Sequence, residues 1–271
     1  MFLTDYHIHT SISPDGEDCM RDMIRASAEK GIKQVCFTDH CDIIKWGTED
    51  LSEDAENVLP RALEERSKIS PEDTRDIEVR VGIELGEAHY SPERAVKIAS
   101  HPEADFILGS VHVLKEYGDF FLIRYESMEQ CRVLMDAYLD ILLEVARLDF
   151  FDVMAHIGYP TRYMTRAGFP LYPNLRLHGD RLEALLKLLI QNGRGIEINC
   201  SGIRDGCGSF PPLEIVRFFR ELGGEIVTVG SDAHRTRDAG ACIAEGYEIL
   251  LEAGFKYVTT FKRRKPEFIK I

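Results

Sequence analysis

Residues 2–39, FLTDYHIHTSISPDGEDCMRDMIRASAEKGIKQVCFTD, contain one complete strand–helix–strand unit. The apolar and β-branched run Phe2–His9 predicts a strand, and Gln34–Asp39 predicts a second one. Between them, Glu17–Lys30 has the spacing of an amphipathic helix and is followed by Gly31, a residue typical of helix ends. Strands that alternate with helices in this way form parallel sheets.

The same alternation continues to the C-terminus. Six further strands are predicted, at Ile77–Leu85, Asp105–His112, Phe151–His156, Gly195–Asn199, Glu225–Asp232 and Tyr257–Phe261. Six further helices are predicted, at Glu53–Ile69, Pro92–Ala99, Ser127–Arg147, Asp180–Gln191, Pro212–Leu222 and Ala239–Ala253. This succession, without a linker or a break in composition, favours a single closed α/β barrel domain over residues 1–271 rather than an open sheet.

Composition and charge exclude several classes of protein. With 33 Lys and Arg against 46 Asp and Glu, the chain has a formal net charge of −13. A nucleic-acid partner is not expected, because neutralising phosphates requires a basic face. Seven cysteines, an odd number, and no secretory leader predict a reducing, cytoplasmic location. No apolar run reaches the ~18 residues of a membrane helix, and the basic run Lys262–Lys265 is interpreted as a solvated tail.

Histidines and carboxylates gather at the predicted strand ends. Six of the nine histidines lie at or just after such an end: His7, His9, His40, His112, His156 and His234. Carboxylates accompany them: Asp5, Asp15, Asp39, Asp42, Glu84 and Asp232. All strands of a barrel end at one mouth, where these side chains would meet. Imidazoles and carboxylates suit Zn²⁺, Mn²⁺ or Fe²⁺, and so many ligands imply two or three divalent metals. Of the other histidines, His89 is expected near the mouth, and His101 and His178 are expected to face solvent.

An ordered set of short motifs follows the predicted strands. The motifs are HIH at 7–9, Asp15, TDH at 38–40, GIE at 82–84, SVH at 110–112, AH at 155–156 and GSDAH at 230–234. This set closely resembles the PHP (polymerase and histidinol phosphatase) superfamily, from residue 5 to about residue 240. Within it, EINCSGIR at 197–204 and HIGYPTRY at 156–163 are similar to segments of the stand-alone histidinol-phosphate phosphatases. Gly158 departs from that pattern, in which an Asp is expected.

The resemblance implies a distorted seven-stranded (β/α) barrel, similar to a TIM barrel, with three metals at the C-terminal ends of its strands. It assigns His7, His9, Glu84 and Asp232 to one metal, Glu84 (as a bridge), His112 and His156 to a second, and Asp15, His40 and His234 to a third. The candidates for catalytic residues are Asp15, Glu84, Asp232 and His234.

A cluster of metal ligands without a nucleophilic Ser or Cys motif indicates metal-assisted hydrolysis by a hydroxide held between metals. A phosphate monoester is a strong candidate substrate, because its dianion would coordinate the metals. Candidate phosphate-binding side chains are Arg162, Asn199, Arg204, Arg235 and Lys115. The alternative for Asn199 is a turn cap, and for the cations an ordinary surface position.

Other side chains are assigned supporting roles. Asp39 and Asp42 are expected to bind the outer nitrogens of ligand histidines. Glu87 or Asp205, near the mouth, would hold the amine of histidinol phosphate. Trp46 follows the second strand in a long loop, where it would form part of a substrate lid or pack locally.

The leading hypothesis is a metal-dependent phosphomonoesterase that hydrolyses L-histidinol phosphate to L-histidinol and phosphate in histidine biosynthesis. One alternative is a PHP phosphoesterase for a different small phosphate ester, a nucleotide or an oligonucleotide end. A second alternative is a non-catalytic metal-binding PHP module, against which the complete set of ligand residues counts.

Overall fold

A computed structural model describes residues 1–44, 54–74 and 77–271. Trp46 and the predicted helix start at Glu53 lie outside these residues. The strands are β1 (Leu3–Ile8), β2 (Ile32–Phe37), β3 (His40–Asp42), β4 (Glu78–Gly86), β5 (Phe106–Ser110), β6 (Val113–Leu114), β7 (Gly118–Asp119), β8 (Val153–Met154), β9 (Gly195–Asn199), β10 (Val227–Gly230), β11 (Tyr257–Lys262) and β12 (Lys265–Lys270).

Seven parallel strands form the barrel, in the order β1-β2-β4-β5-β8-β9-β10. The ring closes between its first and last strands, where Ile8 forms a parallel bridge with Ala233. Two backbone hydrogen bonds complete this seam: His9 N donates to Ala233 O over 2.8 Å, and Asp232 N donates to His7 O over 2.8 Å. The predicted (β/α)7 barrel is therefore confirmed, with the strand ends that carry the histidines at one mouth.

Two local features distort the ring. The short strand β3 leaves the path of β2 and pairs with the end of β4, where His40 lies opposite Glu84. In β1, Asp5 pairs with Val35 and Ile8 with Phe37, so three steps along β1 match two along β2. This bulge bends the strand just before the HIH motif.

The helices cover the outside of the barrel. They are α1 (Met20–Glu29), α2 (Ala55–Ser67), α3 (Pro71–Thr74), α4 (Pro92–Ala99), α5 (Met128–Ala146), α6 (Thr161–Arg166), α7 (Leu175–Gln191), α8 (Ser201–Arg204), α9 (Leu213–Glu221) and α10 (Ile243–Glu252). In the described residues, no helix combines the length and the hydropathy that crossing a bilayer requires. Helix α5 shows what stabilises these outer helices. Ser127 caps the N-terminus of α5 by accepting a hydrogen bond from Gln130 N, and the apolar face of the helix is buried.

Helix α7 differs from the prediction in a way that involves a histidine. It begins at Leu175 instead of Asp180, and the backbone leaves helical geometry at His178. There the His178 Nδ1 accepts a hydrogen bond from Asn174 N over 3.2 Å, and the side chain is buried. The expectation that His178 faces solvent was wrong, because the imidazole stabilises the first turn of the helix. His101 is half-buried.

The C-terminal residues close the opposite, N-terminal end of the barrel. Strands β11 and β12 form an antiparallel hairpin that turns at Arg263 and Arg264. Phe261 packs with Tyr6 and Phe106, which belong to a separate buried cluster.

The basic run is part of this closure. The Arg264 guanidinium pairs with Asp152 over 2.5 Å and donates to the carbonyl oxygens of Ala99 (3.0 Å) and Phe150 (2.9 Å). The interpretation of Lys262–Lys265 as a solvated tail was therefore wrong, since Arg264 fixes the hairpin to the barrel.

Candidate metal centre

The barrel mouth brings together all nine predicted ligand residues. They are His7, His9, Asp15, His40, Glu84, His112, His156, Asp232 and His234. Each comes from a strand end or the segment that follows it, as expected for an α/β barrel.

The first predicted group of ligands is compact. His7 Nε2 and His9 Nε2 are 3.0 Å apart. Glu84 Oε2 lies 3.4 Å from His7 Nε2, and Asp232 Oδ1 lies 3.4 Å from His9 Nε2. These four side chains present two nitrogens and two oxygens to one point.

Glu84 links this group to the second. Its Oε1 lies 2.7 Å from His156 Nε2 and 3.2 Å from His112 Nε2. Its Oε2, which faces the first group, also lies 2.9 Å from His40 Nδ1. The carboxylate thus stands between the groups, in the position the bridging prediction requires.

The third group lies nearer to solvent. Asp15 Oδ2 is 3.2 Å from His234 Nε2, and Asp15 Oδ1 is 3.8 Å from His40 Nε2. The His234 ring stacks on His9, with ring centroids 4.0 Å apart. His9 therefore packs between the first and third groups.

The outer nitrogens of two ligands are held by buried partners. His7 Nδ1 is 2.7 Å from Glu197 Oε1. His9 Nδ1 is 3.0 Å from Ser13 Oγ, which itself donates to Asp39 Oδ1 over 2.8 Å. Such contacts place the ring proton on Nδ1 and direct the Nε2 lone pair inward. Asp39 thus acts through Ser13, whereas direct contact with a histidine was predicted.

Asp42 and Glu87 lie behind His112. Asp42 Oδ1 faces His112 Nδ1 at 3.7 Å, which is beyond hydrogen-bond distance, so the predicted hydrogen bond is not formed. Glu87 accepts hydrogen bonds from the backbone N–H groups of His112 and Val113. Burial raises the pKa of Glu87 to about 8. Glu87 is fully buried beneath the ligands and is not at the mouth, so its predicted contact with a substrate amine was wrong.

The donor atoms fit divalent metals. Burial and the neighbouring His234 and His40 rings hold the pKa of His9 well below its usual value. Its Nε2 lies 3.0 Å from that of His7, so one cation bound beside them would meet two imidazole nitrogens. Glu84 Oε2 is buried and faces the ring nitrogens of His40, His7 and His9 at 2.9, 3.4 and 3.7 Å. A nitrogen-rich set with carboxylates suits Zn²⁺, Mn²⁺ or Fe²⁺.

A cavity of about 590 Å³ opens above this cluster. Its floor includes Glu84, His112, His156 and Asp232. Its wall contains five arginines, two aspartates and three aromatic residues: Arg162, Arg166, Arg204, Arg235, Arg237, Asp205, Asp238, Phe121, Tyr159 and Tyr163. The volume lies within the range of small-molecule sites.

Three of the predicted phosphate-binding cations line this cavity. Arg162 is hydrogen-bonded to Ser201 and lies 3.3 Å from Asp205 and 3.5 Å from Asp232. Arg204 donates to the carbonyl oxygens of Ser231 (2.9 Å) and Asp232 (3.3 Å). Arg235 pairs with two carboxylates, over 3.1 and 3.3 Å. Arg162 and Arg204 are thus fixed close to the metal ligand Asp232.

The other two predicted phosphate-binding residues lie elsewhere. Lys115 is exposed in the β6–β7 turn, outside the described lining of the cavity. Asn199 is fully buried beneath it, with Nδ2 3.2 Å from Glu197 Oε2 and Oδ1 3.1 Å from Ser201 N. Asn199 is therefore placed to orient neighbouring side chains.

Glu197 is the first residue of the EINCSGIR motif, and the sequence assigns it no role of its own. Besides His7, it accepts a hydrogen bond from His156 N over 2.8 Å. Gly230 on the adjacent strand makes room for this contact, because a Cβ there would overlap both His7 and Glu197. A signal was present: Glu197 and Asn199 are polar residues two apart in an apolar strand, which puts both on one face.

Proteins of known sequence resemble this chain over nearly its whole length. The PHP domain model matches residues 5–201. A probable histidinol-phosphatase of Deinococcus radiodurans is 28% identical over 271 residues, which cover 98% of each chain. The histidinol-phosphatase of Lactococcus lactis subsp. lactis is 26% identical over 268 residues, 96% of this chain and 95% of that one.

Solved structures share the fold. The crystal structure of histidinol phosphate phosphatase from Lactococcus lactis, complexed with Zn, L-histidinol and phosphate, matches with a TM-score of 0.78 and 22% identity over 98% of each chain. A second solved structure, from Listeria monocytogenes, matches with a TM-score of 0.74 and 19% identity, over 89% of this chain and 99% of that one. The family model spans most of the chain and includes seven of the nine clustered ligand residues, and so the chain belongs to the PHP domain family.

Proposed function

We propose that the chain is a metal-dependent phosphomonoesterase that hydrolyses L-histidinol phosphate to L-histidinol and phosphate. The observation that carries this proposal is a cluster of nine candidate ligand side chains, seven of which line one cavity, with Arg162 and Arg204 in the wall of that cavity. Metal ligands beside fixed cations suit a phosphate dianion.

The substrate assignment is supported by relatives of nearly the same length that carry the name histidinol-phosphatase. The site adds an argument of its own. Histidinol phosphate has an amine beside its phosphate, and Asp205 in the cavity wall is a carboxylate that would accept it. The reaction belongs to histidine biosynthesis.

We infer three metal sites, which would hold Zn²⁺, Mn²⁺ or Fe²⁺. The ligands would be His7, His9, Glu84 and Asp232 for one, Glu84, His112 and His156 for the second, and Asp15, His40 and His234 for the third. Bound divalent metals supply Lewis acidity, neutralise phosphate charge and make water more acidic.

The residues of the chain orient the reactants. Arg162 and Arg204 would bind the phosphate oxygens, and Asn199 and Glu197 would keep Asp232 and His7 in place. Hydrolysis forms one P–O bond to water and breaks the ester P–O bond, and the alcohol leaves with a proton. We propose Asp15 and His234, which both line the cavity, as the side chains that meet the alcohol oxygen.

The test is phosphate release from L-histidinol phosphate by Zn²⁺- or Mn²⁺-loaded protein. p-Nitrophenyl phosphate, AMP and a sugar phosphate are run beside it. We expect kcat/KM for L-histidinol phosphate above about 10⁴ M⁻¹s⁻¹ and far above the others. Equal, slow turnover of all four would favour another small phosphate ester. Filled metal sites without turnover would favour a non-catalytic module.

The proposal involves a small-molecule partner. A net charge of −13 opposes a nucleic-acid partner, and no membrane partner is proposed. A cytoplasmic location is supported by seven cysteines that are all free.

A further inference from the structure

A row of three aromatic rings runs along the cavity wall. Tyr159 packs against the ligand His156, with ring centroids 4.9 Å apart. Its hydroxyl is 2.7 Å from that of Tyr163, whose ring lies 6.0 Å from the ring of Phe121. Exposure rises along the row: Tyr159 is 8% exposed and Phe121 is 64% exposed. The row therefore connects the metal ligands with the rim of the cavity.

Phe121 stands on a fixed turn despite its exposure. Its backbone N–H donates to Asp119 Oδ1 over 2.8 Å, and Leu122 N donates to Asp119 O over 2.9 Å. The preceding Phe120 is fully buried and packs edge-to-face on Tyr138, with centroids 5.6 Å apart. The backbone position of Phe121 is thus set before any molecule enters the cavity, which lowers the entropy cost of a contact with its ring.

Exposed apolar side chains are common and need no explanation when they stand alone. Leu122 is such a case: it is 60% exposed and is not among the residues that line the cavity. Phe121 differs because it lines the cavity beside Tyr163. The Arg166 guanidinium lies over the Tyr163 ring, 5.8 Å from its centroid, and covers part of that ring. Phe121 therefore offers a larger uncovered ring surface than Tyr163.

We propose that Phe121, supported by Tyr163, binds the flat ring of the alcohol half of the substrate and so selects ring-bearing phosphate esters. The inference rests on the proposed function, in which the phosphate lies at the metal ligands. In L-histidinol phosphate, three carbons separate the ester oxygen from the imidazole. A ring at that position extends outward along the aromatic row, where offset-stacked or edge-to-face contacts stabilise it.

The test compares L-histidinol phosphate with L-alaninol phosphate, which keeps the amine and the phosphate but lacks the ring. We expect F121A to lower kcat/KM for L-histidinol phosphate about tenfold, mainly through KM. The loss for L-alaninol phosphate is expected to be at most about twofold. F121Y keeps an aromatic ring and should retain the preference for L-histidinol phosphate over L-alaninol phosphate. F121L should retain only part of that preference. The matched control is L122A, which should leave both substrates unaffected.

Two results would overturn the proposal: equal losses for both substrates in F121A, or no loss for either. Thermal unfolding of each variant, in the metal-loaded form, identifies a general folding defect. If wild-type protein does not prefer L-histidinol phosphate, the proposed function fails separately. The ring contact is then judged with 2-phenylethyl phosphate against ethyl phosphate, and an equal wild-type-to-F121A ratio for the two would refute it.

Discussion

Replacing Glu197 with Gln changes one atom in the buried shell behind the metal ligands. The carboxylate receives three donors: His7 Nδ1–H at 2.7 Å, His156 N–H at 2.8 Å and Asn199 Nδ2–H at 3.2 Å. A carboxylate only accepts hydrogen bonds, so it matches this set. A Gln amide has an NH₂ group, and in either orientation it sets that group against a donor.

The expected magnitude follows from two effects. A buried donor left without an acceptor costs about 1–3 kcal/mol of folding free energy. Loss of the charge behind His7 also makes its imidazole a weaker ligand, and changes to such partners typically lower metal affinity about 10- to 100-fold. We therefore expect E197Q to lower the affinity of the site that contains His7 by about that factor, which is about 1.4–2.8 kcal/mol.

The assay is Zn²⁺ binding to metal-free protein in competition with a chelating dye, together with urea unfolding of the metal-free form. The matched control is D152N, since Asp152 is a half-buried carboxylate that lies at the opposite end of the barrel, paired with Arg264. D152N should lose stability and keep its metal affinity. A folded E197Q protein that binds Zn²⁺ as tightly as wild type would refute the assigned role of Glu197.

Four further changes have distinct expected outcomes. R162A should lower kcat/KM for the phosphate ester about 10- to 100-fold, because a charge-assisted hydrogen bond contributes about 1.5–3 kcal/mol. R235A, whose guanidinium already pairs with two carboxylates, should lose less than about tenfold in the same steady-state assay. R264A should lose about 2 kcal/mol in urea unfolding without a change in metal content, because it unpairs Asp152. His89 has a pKa lowered to about 4 by burial and by Lys115. The folded state therefore binds fewer protons than the unfolded chain between about pH 6.5 and 4, so the free energy of unfolding decreases as the pH is lowered through that window. H89L should reduce this fall in a series of urea titrations.

The sequence was sufficient to predict the barrel and the clustering of the candidate ligands at its mouth because both obey simple periodic rules. Strand–helix alternation implies parallel strands, and parallel strands in a barrel end at one mouth. The HIH spacing then places His7 and His9 on one face. The contact between them at 3.0 Å bears this out.

Contacts between distant parts of the chain could not be predicted in the same way. Glu197 and His7 are far apart in sequence, and their contact depends on the closure of the ring and on the absence of a side chain at Gly230. Ser13 stands between Asp39 and His9, which periodicity alone does not reveal.

The second strand of the C-terminal hairpin, β12, was missed for a different reason, whereas the first was predicted at Tyr257–Phe261. Its turn places Arg263 and Arg264 at positive φ, where the Asn-Gly or Asp-Gly signals of a tight hairpin are usual. Without those signals, the basic run suggests a solvated segment. The buried acceptors at Asp152, Ala99 and Phe150 that hold Arg264 come from other parts of the chain.

The most direct test of the metal-dependent phosphatase is a titration of metal-free protein with Zn²⁺ or Mn²⁺, with phosphate release from L-histidinol phosphate and bound metal measured on the same samples. The predicted result is that kcat/KM rises with bound metal and exceeds about 10⁴ M⁻¹s⁻¹ only once two or three ions are bound per chain. Equal turnover by metal-free protein, or no turnover at full occupancy, would contradict the account.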